Sequence, residues 1–343
     1  MPRSLIWLIN AAILAGSALL IVWGDLSGSL HSPMSAEHAR FEYVVEPGDS
    51  IRHIGSRLHA YGVLREPLYW EIYARLTGAA TRVKAGEYRI DPRQSPVRLL
   101  DQLTNGRVVQ YSFTLIEGWT FAQLRAALAT DPVLVATLQD ATPEQIMTAV
   151  GAAGEHPEGQ FLPDTYFFPR GTTDAAFLQR AYRSMQDELA SEWAGRAGEL
   201  PLKTPYEALT LASIVERETA VPDERATIAG VFVERLRRKM YLQTDPTVIY
   251  GMGERYKGRI RYNDLRRDTP YNTYTRKGLT PTPIAMPSAE AIHAVLHPEY
   301  SGALYFVARG DGTHQFSASL REHNEAVIRY QLNGDASRLR GNR

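Results

Sequence analysis

The N-terminal segment most constrains the fold, because Leu5 to Trp23 is a run of 19 residues without a charge. About 20 apolar residues span the hydrocarbon core of a bilayer as a helix. Arg3 precedes the run and Asp25 follows it, so the positive-inside rule places residues 1–4 in the cytoplasm and the bulk of the chain outside. A cleaved signal peptide is the alternative, but the run is long and no good cleavage sequence follows it. The sequence therefore predicts a transmembrane anchor over residues 5–23.

Composition excludes several classes of protein. The 343 residues include 38 basic and 38 acidic side chains, and this balance gives no electrostatic reason to expect nucleic-acid binding. The absence of cysteine excludes disulfides, thiolate metal sites and a cysteine nucleophile. His293 and His297 are four residues apart, but the sequence shows no third ligand beside them and no HExxH pattern. We therefore predict no metal site and no cofactor.

The segment after the anchor divides into a linker and a small folded module. Residues 24–40 are rich in Ser, Gly, His and Pro, which is typical of a linker. Residues 41–110 contain a predicted strand, Phe41 to Val45, then a Pro-Gly-Asp-Ser turn and a helix. That order resembles the LysM modules that bind N-acetylglucosamine polymers. The alternative is a module that only holds the rest of the chain away from the membrane.

An apolar helix near the middle of the chain carries the strongest catalytic signal. Its start has the composition of a capping box with proline at the first helical position, in Thr204, Pro205 and Glu207. Glu218 continues the apolar face formed by Leu211, Ile214 and Val215. A carboxyl group on such a face has a raised pKa, which a general acid near neutral pH requires. The alternative is a charged helix end in which Glu218 pairs with an arginine.

The remaining segments suggest a polar binding surface. Residues 156–171 mix aromatic and short polar side chains, which suits a wall that stacks on sugars, although an ordered loop on the core explains them equally. Residues 242–253 look like a loop dense in hydrogen-bonding groups, and a long proline-rich irregular segment runs to residue 287. A β-hairpin is predicted over 304–316 and a helix over 319–332. Residues 333–343 form a predicted disordered tail.

Three motifs closely resemble the endolytic murein transglycosylases of the MltG or YceG-like family: Ala212–Thr219, Leu242–Gly251 and Tyr271–Tyr274. The resemblance covers nearly the whole chain. It implies an α+β fold with a transmembrane helix, the LysM-like module and a larger catalytic domain over 111–332, which contains a lysozyme-like catalytic helix and a β-hairpin. It also implies a single-pass inner-membrane enzyme with a periplasmic catalytic domain.

The resemblance implies cleavage of the β-1,4 bond between N-acetylmuramic acid and N-acetylglucosamine in nascent glycan strands. Glu218 would act first as acid and then as base, giving a 1,6-anhydro end without water or a second carboxylate. Glu216 is the alternative acid. Asp245 could instead cap a turn before Pro246. The predicted substrate-binding residues are Glu158, Tyr166, Gln243, Thr244, Asp245, Tyr250, Tyr271, Asn272 and Tyr274.

Two other functions remain open at this point. One is a muramidase that hydrolyses the same bond with water. The other is a non-catalytic scaffold that binds glycan through its LysM-like arm. The expected partners are peptidoglycan glycan strands and the inner membrane, and the family adds an expectation of cell-wall synthases.

Overall fold

The computed structural model describes residues 3–35 and 37–339. The predictions for residues 1–2 and for the end of the tail, 340–343, lie outside the described residues. The chain divides into two compact units. One comprises Met1–Tyr111 and Phe167–Arg170, and the other comprises Ser112–Tyr166 and Gly171–Arg343. The expected mixture of helices and small antiparallel sheets is confirmed.

The first unit begins with helix α1 (Arg3–His31), which contains the predicted anchor. Within the described ranges, no helix combines the length and the apolar character that a membrane crossing requires. The helix also extends through residues 24–31, where the sequence predicted a linker. It continues because no proline occurs between Pro2 and Pro33 and because Leu30 is buried in the core of this unit.

The rest of the first unit is built on a two-stranded sheet. Strand β1 (Phe41–Val45) pairs antiparallel with β2 (Gly86–Ile90), with Tyr43 opposite Tyr88. The Ser50 side chain accepts a hydrogen bond from the His53 backbone N–H and so caps the first of three helices. These are α2 (Ile51–Ala60), α3 (Pro67–Leu76) and α4 (Pro96–Asn105). The predicted order of strand, turn and helix is present, and the likeness to LysM modules stays a prediction.

The second unit is mainly helical. The remaining elements in chain order are β3 (Tyr111–Leu115), α5 (Phe121–Ala129), α6 (Pro143–Val150), β4 (Asp164–Phe168), α7 (Asp174–Gly195), α8 (Pro205–Glu218), α9 (Pro222–Arg237), α10 (Asp245–Met252), α11 (Tyr262–Arg266), α12 (Ala289–Leu296), β5 (Tyr305–Ala308), β6 (His314–Ser317) and α13 (Leu320–Tyr330). All of them belong to the second unit except the first residue of β3 and the last two residues of β4. Strand β3 pairs with β4, and the predicted hairpin is present as β5 and β6, with Tyr305 opposite Ser317. A 3₁₀ turn, Ala336–Arg338, lies in the predicted tail.

Helix α8 forms the centre of the second unit. All eight residues from 208 to 215 are buried, and helices α7, α9 and α12 pack around them. The predicted start is confirmed, because Thr204 accepts a hydrogen bond from the Glu207 backbone N–H and Pro205 occupies the first turn. Because α8 is buried on all sides, the residues at its C-terminal end, 216–219, are held in a fixed position.

One predicted loop is a helix. Residues 242–253 were expected to be irregular, but α10 occupies most of this segment. Proline is compatible with the first turn of a helix, where Pro246 lies, and Thr247 and Val248 are buried. The prediction failed because a helix of eight residues is too short to show a clear apolar period.

Candidate active site

Glu218 is the last residue of α8 and is half-buried. Its Oε2 atom accepts a hydrogen bond of 2.5 Å from the Thr244 hydroxyl. Burial raises the pKa of Glu218 above its usual range, and the nearby charge of Asp245 raises it further. The Thr244 hydrogen bond opposes this rise. Glu218 therefore holds its proton to a higher pH than an exposed glutamate does.

A cavity of about 520 Å³ opens beside Glu218. Helices α9 and α13 and the hairpin of β5 and β6 contribute to its wall. Its polar and charged lining includes Glu218, Arg235, Gln243, Asp245, Tyr274, His314 and His323. Three of the nine predicted substrate-binding residues line this cavity: Gln243, Asp245 and Tyr274. A fourth, Thr244, is hydrogen-bonded to Glu218 in the cavity wall.

A set of threonine hydroxyls fixes the start of α10 below the cavity. The Thr244 backbone N–H donates to the Thr273 hydroxyl at 3.1 Å, and the Thr247 and Thr273 hydroxyls are 2.9 Å apart. The preceding residue, Gln243, has a φ of 50°, which is unusual for a residue other than glycine. Its backbone N–H donates to the Thr273 carbonyl. These bonds hold the Thr244 hydroxyl where it reaches Glu218.

Asp245 has a partner on the neighbouring loop. The Tyr274 hydroxyl donates to Asp245 Oδ1 at 2.6 Å. Burial and the Asp245 charge keep the pKa of Tyr274 well above its usual range, so the phenol stays neutral and donates. Asp245 does not cap the helix with its side chain in this structure. It supplies a second carboxylate in the cavity, held by a phenol.

His314 is oriented by a carboxylate from another element. Its backbone N–H donates to Glu224 Oε1 at 2.8 Å, and its Nδ1 atom lies 2.7 Å from Glu224 Oε2. Glu224 belongs to the first turn of α9. No described residue forms a hydrogen bond with Nε2 of His314, whose side chain lines the cavity. A carboxylate on Nδ1 fixes the orientation of the ring.

Arg235 places a positive charge in the same wall. Its guanidinium donates to the carbonyls of Leu304 at 2.7 Å and Leu242 at 2.8 Å, and it lies over the ring of Tyr305. Only 6% of the residue is exposed, and no salt bridge joins it to a described carboxylate. Burial lowers the pKa of Arg235, but a guanidinium keeps its proton in proteins. Its charge favours the ionised form of Glu218.

Glu216, the alternative acid, has a different environment. Its Oε2 atom accepts hydrogen bonds from the Ser288 backbone N–H at 3.0 Å and the Ser288 hydroxyl at 2.5 Å. Ser288 is the N-cap of α12, so the Glu216 carboxylate lies at the positive end of that helix. These hydrogen bonds join α8 to α12.

A second cavity, of about 800 Å³, lies at the same end of α8. Its wall includes Glu216, Arg217 and Thr219 together with residues of β3 and β4. Arg217 is held there by a hydrogen bond to the Gly118 carbonyl. The two cavities are thus both lined by the last residues of α8, with Glu218 in one and its neighbours in the other.

Glu158 and Tyr166 are not brought to the cavity beside Glu218. Glu158 is 4% exposed and accepts hydrogen bonds from the Phe121 backbone N–H at 2.9 Å and the Tyr250 hydroxyl at 3.0 Å. Burial raises the pKa of Glu158 to about 7. The Tyr166 hydroxyl donates to the Leu162 carbonyl. Both side chains are buried contacts of the core, which agrees with the alternative of an ordered loop.

Three further predicted residues support the loop behind α10. The rings of Tyr250 and Tyr271 meet edge to face at 4.9 Å, and the Tyr271 hydroxyl is 3.0 Å from that of Thr282. The Asn272 side-chain amide donates to the carbonyls of Leu265 and Arg267. Asn272 is 1% exposed. These residues stabilise the segment that carries Thr273 and Tyr274.

Arg235 and His314 were not among the site residues predicted from the sequence. Arg235 follows Ile228, Val231 and Phe232 by seven, four and three residues. This is the spacing that singled out Glu218, so the same signal was available for Arg235. His314 gave no such signal, because its partner Glu224 is 90 residues earlier in the chain.

A buried central helix that ends in a half-buried acid, open to a polar cavity, is typical of enzymes that use a carboxyl group for acid–base chemistry. The chain belongs to the YceG-like family, whose sequence model matches residues 43–329. It is 32% identical over 303 residues to the endolytic murein transglycosylase of Bacillus subtilis, covering 83% of each chain.

Two further relatives extend this comparison. The endolytic murein transglycosylase of Streptococcus pneumoniae is 28% identical over 333 residues, which are 87% of this chain and 60% of that protein. A crystal structure of a YceG-like protein from Listeria monocytogenes matches with 30% identity and a TM-score of 0.48, covering 84% of this chain and 99% of that one.

Proposed function

We propose that the protein is an endolytic murein transglycosylase that cleaves the β-1,4 bond between N-acetylmuramic acid and N-acetylglucosamine within glycan strands. The relatives of the YceG-like family carry this name, and the match extends over most of the chain. The observation in the molecule that supports it best is Glu218, an acid with a raised pKa that opens onto a polar cavity.

In the first step, Glu218 donates its proton to the glycosidic oxygen. The bond between this oxygen and C1 of N-acetylmuramic acid breaks with both electrons moving to the oxygen, and positive charge develops at C1. Glu218 becomes a carboxylate. The Thr244 hydroxyl then stabilises this carboxylate by a hydrogen bond, and the positive charge of Arg235 adds to the stabilisation.

In the second step, the Glu218 carboxylate accepts the proton of the C6 hydroxyl of the same sugar. The C6 oxygen forms a bond to C1 and closes a 1,6-anhydro ring. Glu218 is thereby restored to its acid form, and no water is consumed. His314, whose ring is held by Glu224, lines the same cavity. It lies close enough to Glu218 to lower the pKa of that residue.

We assign the catalytic role to Glu218 and not to Glu216. The Glu216 carboxylate accepts two hydrogen bonds from Ser288, the N-cap of α12, and so joins α8 to α12. Glu218 has one hydrogen bond from a described residue and lines a cavity. Its environment is therefore the better one for a proton donor.

The proposed endolytic action is supported by the position of the two cavities. Both are lined by the end of α8, so a glycan strand could extend from the acid in two directions. An enzyme that cuts inside a polymer needs binding surface on both sides of the cleaved bond. Gln243, Asp245 and Tyr274 are the proposed sugar contacts on the Glu218 side.

Asp245 keeps a muramidase in consideration, because a second carboxylate in the cavity could activate water. Mass spectrometry of glycan strands digested by the purified chain separates the two reactions. We expect internal cleavage that leaves 1,6-anhydro ends. Reducing ends would show hydrolysis, and binding without any cleavage would show a glycan-binding scaffold. The Glu216→Gln chain serves as the matched control and should give the same products.

The location of the chain is a separate part of the proposal. Residues 5–23 are uncharged, and Trp7, Leu14, Leu20 and Trp23 on α1 are exposed. Large apolar surfaces of this kind favour a membrane. We place the second unit in the periplasm on the basis of Arg3 and Asp25. Cell fractionation of the full chain and of a chain without residues 1–23 tests this, and a soluble full chain would contradict it.

The first unit is proposed to bind N-acetylglucosamine polymers, as its likeness to LysM modules implies. Tyr61 is 57% exposed and lies beside the partly exposed ring of Phe41, which gives a small aromatic surface. Binding of chitin oligomers to the Glu218→Gln chain should weaken when Tyr61 is changed to alanine. Unchanged binding would indicate that this unit only holds the rest of the chain away from the membrane. Cell-wall synthase partners remain a prediction from the family.

A further inference from the structure

Two histidines on α12 meet a glutamate from α7 on the surface of the second unit. Glu192 Oε2 lies 2.9 Å from His293 Nδ1 and 3.3 Å from His297 Nε2. The two imidazole rings are stacked with their centres 4.4 Å apart. The ligand atoms of all three residues lie within 4.8 Å of one another. None of the three lines the cavity beside Glu218.

We propose that Glu192, His293 and His297 form a binding site for a divalent transition metal, with zinc as the expected ion. Neutral imidazole nitrogen and carboxylate oxygen in a ratio of two to one are a common ligand set for zinc, whereas magnesium and calcium prefer oxygen alone. Three protein ligands leave a fourth position for water or for a group from another molecule.

The geometry fits an ion of this kind. A tetrahedral zinc with bonds of about 2.0–2.1 Å holds neighbouring ligand atoms about 3.3 Å apart. The two separations that involve Glu192 are already close to this value. The third, between the histidine nitrogens, can adjust because the His293 side chain is 60% exposed and the His297 side chain 32%.

The backbone holds the three residues in place without an ion. His293 and His297 are one turn apart, and the His297 backbone N–H donates to the His293 carbonyl at 2.7 Å. The Ala197 backbone N–H, just after α7, donates to the Leu296 carbonyl at 2.9 Å. Two further carboxylates, Glu188 and Glu290, lie nearby. Glu188 interacts electrostatically with Glu290, Glu192 and His293. Their negative charge favours a cation.

No metal site was predicted from the sequence, because the sequence reveals no third ligand for the two histidines. The third ligand is 101 residues earlier in the chain than His293. Only the packing of α7 against α12 brings it to the site. A bound ion would therefore join these two helices by coordinate bonds.

Calorimetric titration of the purified full chain with zinc chloride tests the proposal. We expect one zinc per chain and no binding of magnesium chloride. Single changes of Glu192→Gln, His293→Ala or His297→Ala should weaken zinc binding by more than about 100-fold, because each removes a direct ligand and loss of an outer partner alone costs 10–100-fold. The matched control is His53→Ala, an exposed histidine 3.7 Å from Asp49 without a second histidine.

A second measurement separates a bound ion from a simple ion pair. Zinc should raise the melting temperature of the wild-type chain, and a chelator should reverse the rise. In the His297→Ala chain zinc should have no such effect, although the fold is retained in the absence of metal. Zinc binding that survives in the His293→Ala/His297→Ala chain, or a wild-type chain that binds no zinc, would overturn the proposal.

Discussion

Glu158 and Glu218 are two glutamates in the second unit that both have a raised pKa, and in both burial is the main cause. Their partners differ. Protein donors occupy both oxygens of Glu158, the Phe121 backbone N–H on one and the Tyr250 hydroxyl on the other. Glu218 receives one hydrogen bond from a described residue, on Oε2, and lines a cavity. A raised pKa therefore identifies a buried carboxyl group, while access to a cavity distinguishes a candidate acid from a structural one.

The largest expected effect separates these two residues by activity. Glu218→Gln removes the proton donor and should reduce the rate of glycan cleavage by about 10³-fold or more, within the range that general acid catalysis contributes. Glu158→Gln should leave the rate within about threefold, because that residue touches no cavity that we assign to substrate. Chromatography of the released glycan fragments measures both rates. Equal losses in two folded variants would remove the distinction.

The next effect concerns the stability of the fold and involves Glu158. The pKa of Glu158 rises from 4.5 to about 7 on folding, so the folded chain retains a proton that the unfolded chain has lost. The stability contributed by this group is thus lost as pH rises from 4.5 through about 7. At 1.36 kcal/mol per pH unit the loss is about 3 kcal/mol.

Glu158→Gln should abolish this pH dependence, because glutamine does not titrate. Urea unfolding at pH 5 and pH 8 provides the measurement, with the wild-type chain as reference. Between pH 5 and pH 8 the free energy of unfolding of the variant should rise by about 2.5 kcal/mol relative to that of the wild type. A constant difference between the two chains would show that the pKa of Glu158 does not change on folding.

A smaller effect is expected from His314. His314→Ala removes a group that lowers the pKa of Glu218, and it removes a side chain from the cavity wall. We expect the rate of glycan cleavage to fall about tenfold. Because His314 lowers the pKa of Glu218, its removal should also move the alkaline limb of the pH–rate profile to higher pH. His53→Ala, in the first unit, is the control. A lower rate with an unmoved profile would show only a packing role.

The smallest effect tests the charge of Asp245. This carboxylate raises the pKa of Glu218, so Asp245→Asn should lower that pKa and move the alkaline limb of the pH–rate profile to lower pH. Asparagine still accepts a hydrogen bond from Tyr274, which keeps the local structure. A pH–rate profile of the variant provides the measurement, and a shift toward higher pH would contradict this account.

Local sequence signals predicted the parts of the site that depend on one helix. The start of α8, its buried face and the position of Glu218 all follow from spacing and capping within 15 residues. Pairings between distant segments were not predictable in this way. Glu224 with His314, Glu158 with Tyr250 and Glu192 with His293 each join residues about 90 or more apart in the chain. Such pairs depend on tertiary packing, which a single sequence does not specify locally.

The φ of 50° at Gln243 has a consequence for how the chain can change over time. A residue with a Cβ atom in this conformation costs roughly 1–2 kcal/mol, which glycine would avoid. Gln243→Gly is therefore expected to leave the free energy of unfolding unchanged or slightly increased, while it deletes a side chain from the cavity wall. Selection for stability alone would favour glycine here. Mutagenesis of this position with selection for cell-wall cleavage tests this point. If glutamine is retained, its side chain contributes to activity at a cost in stability.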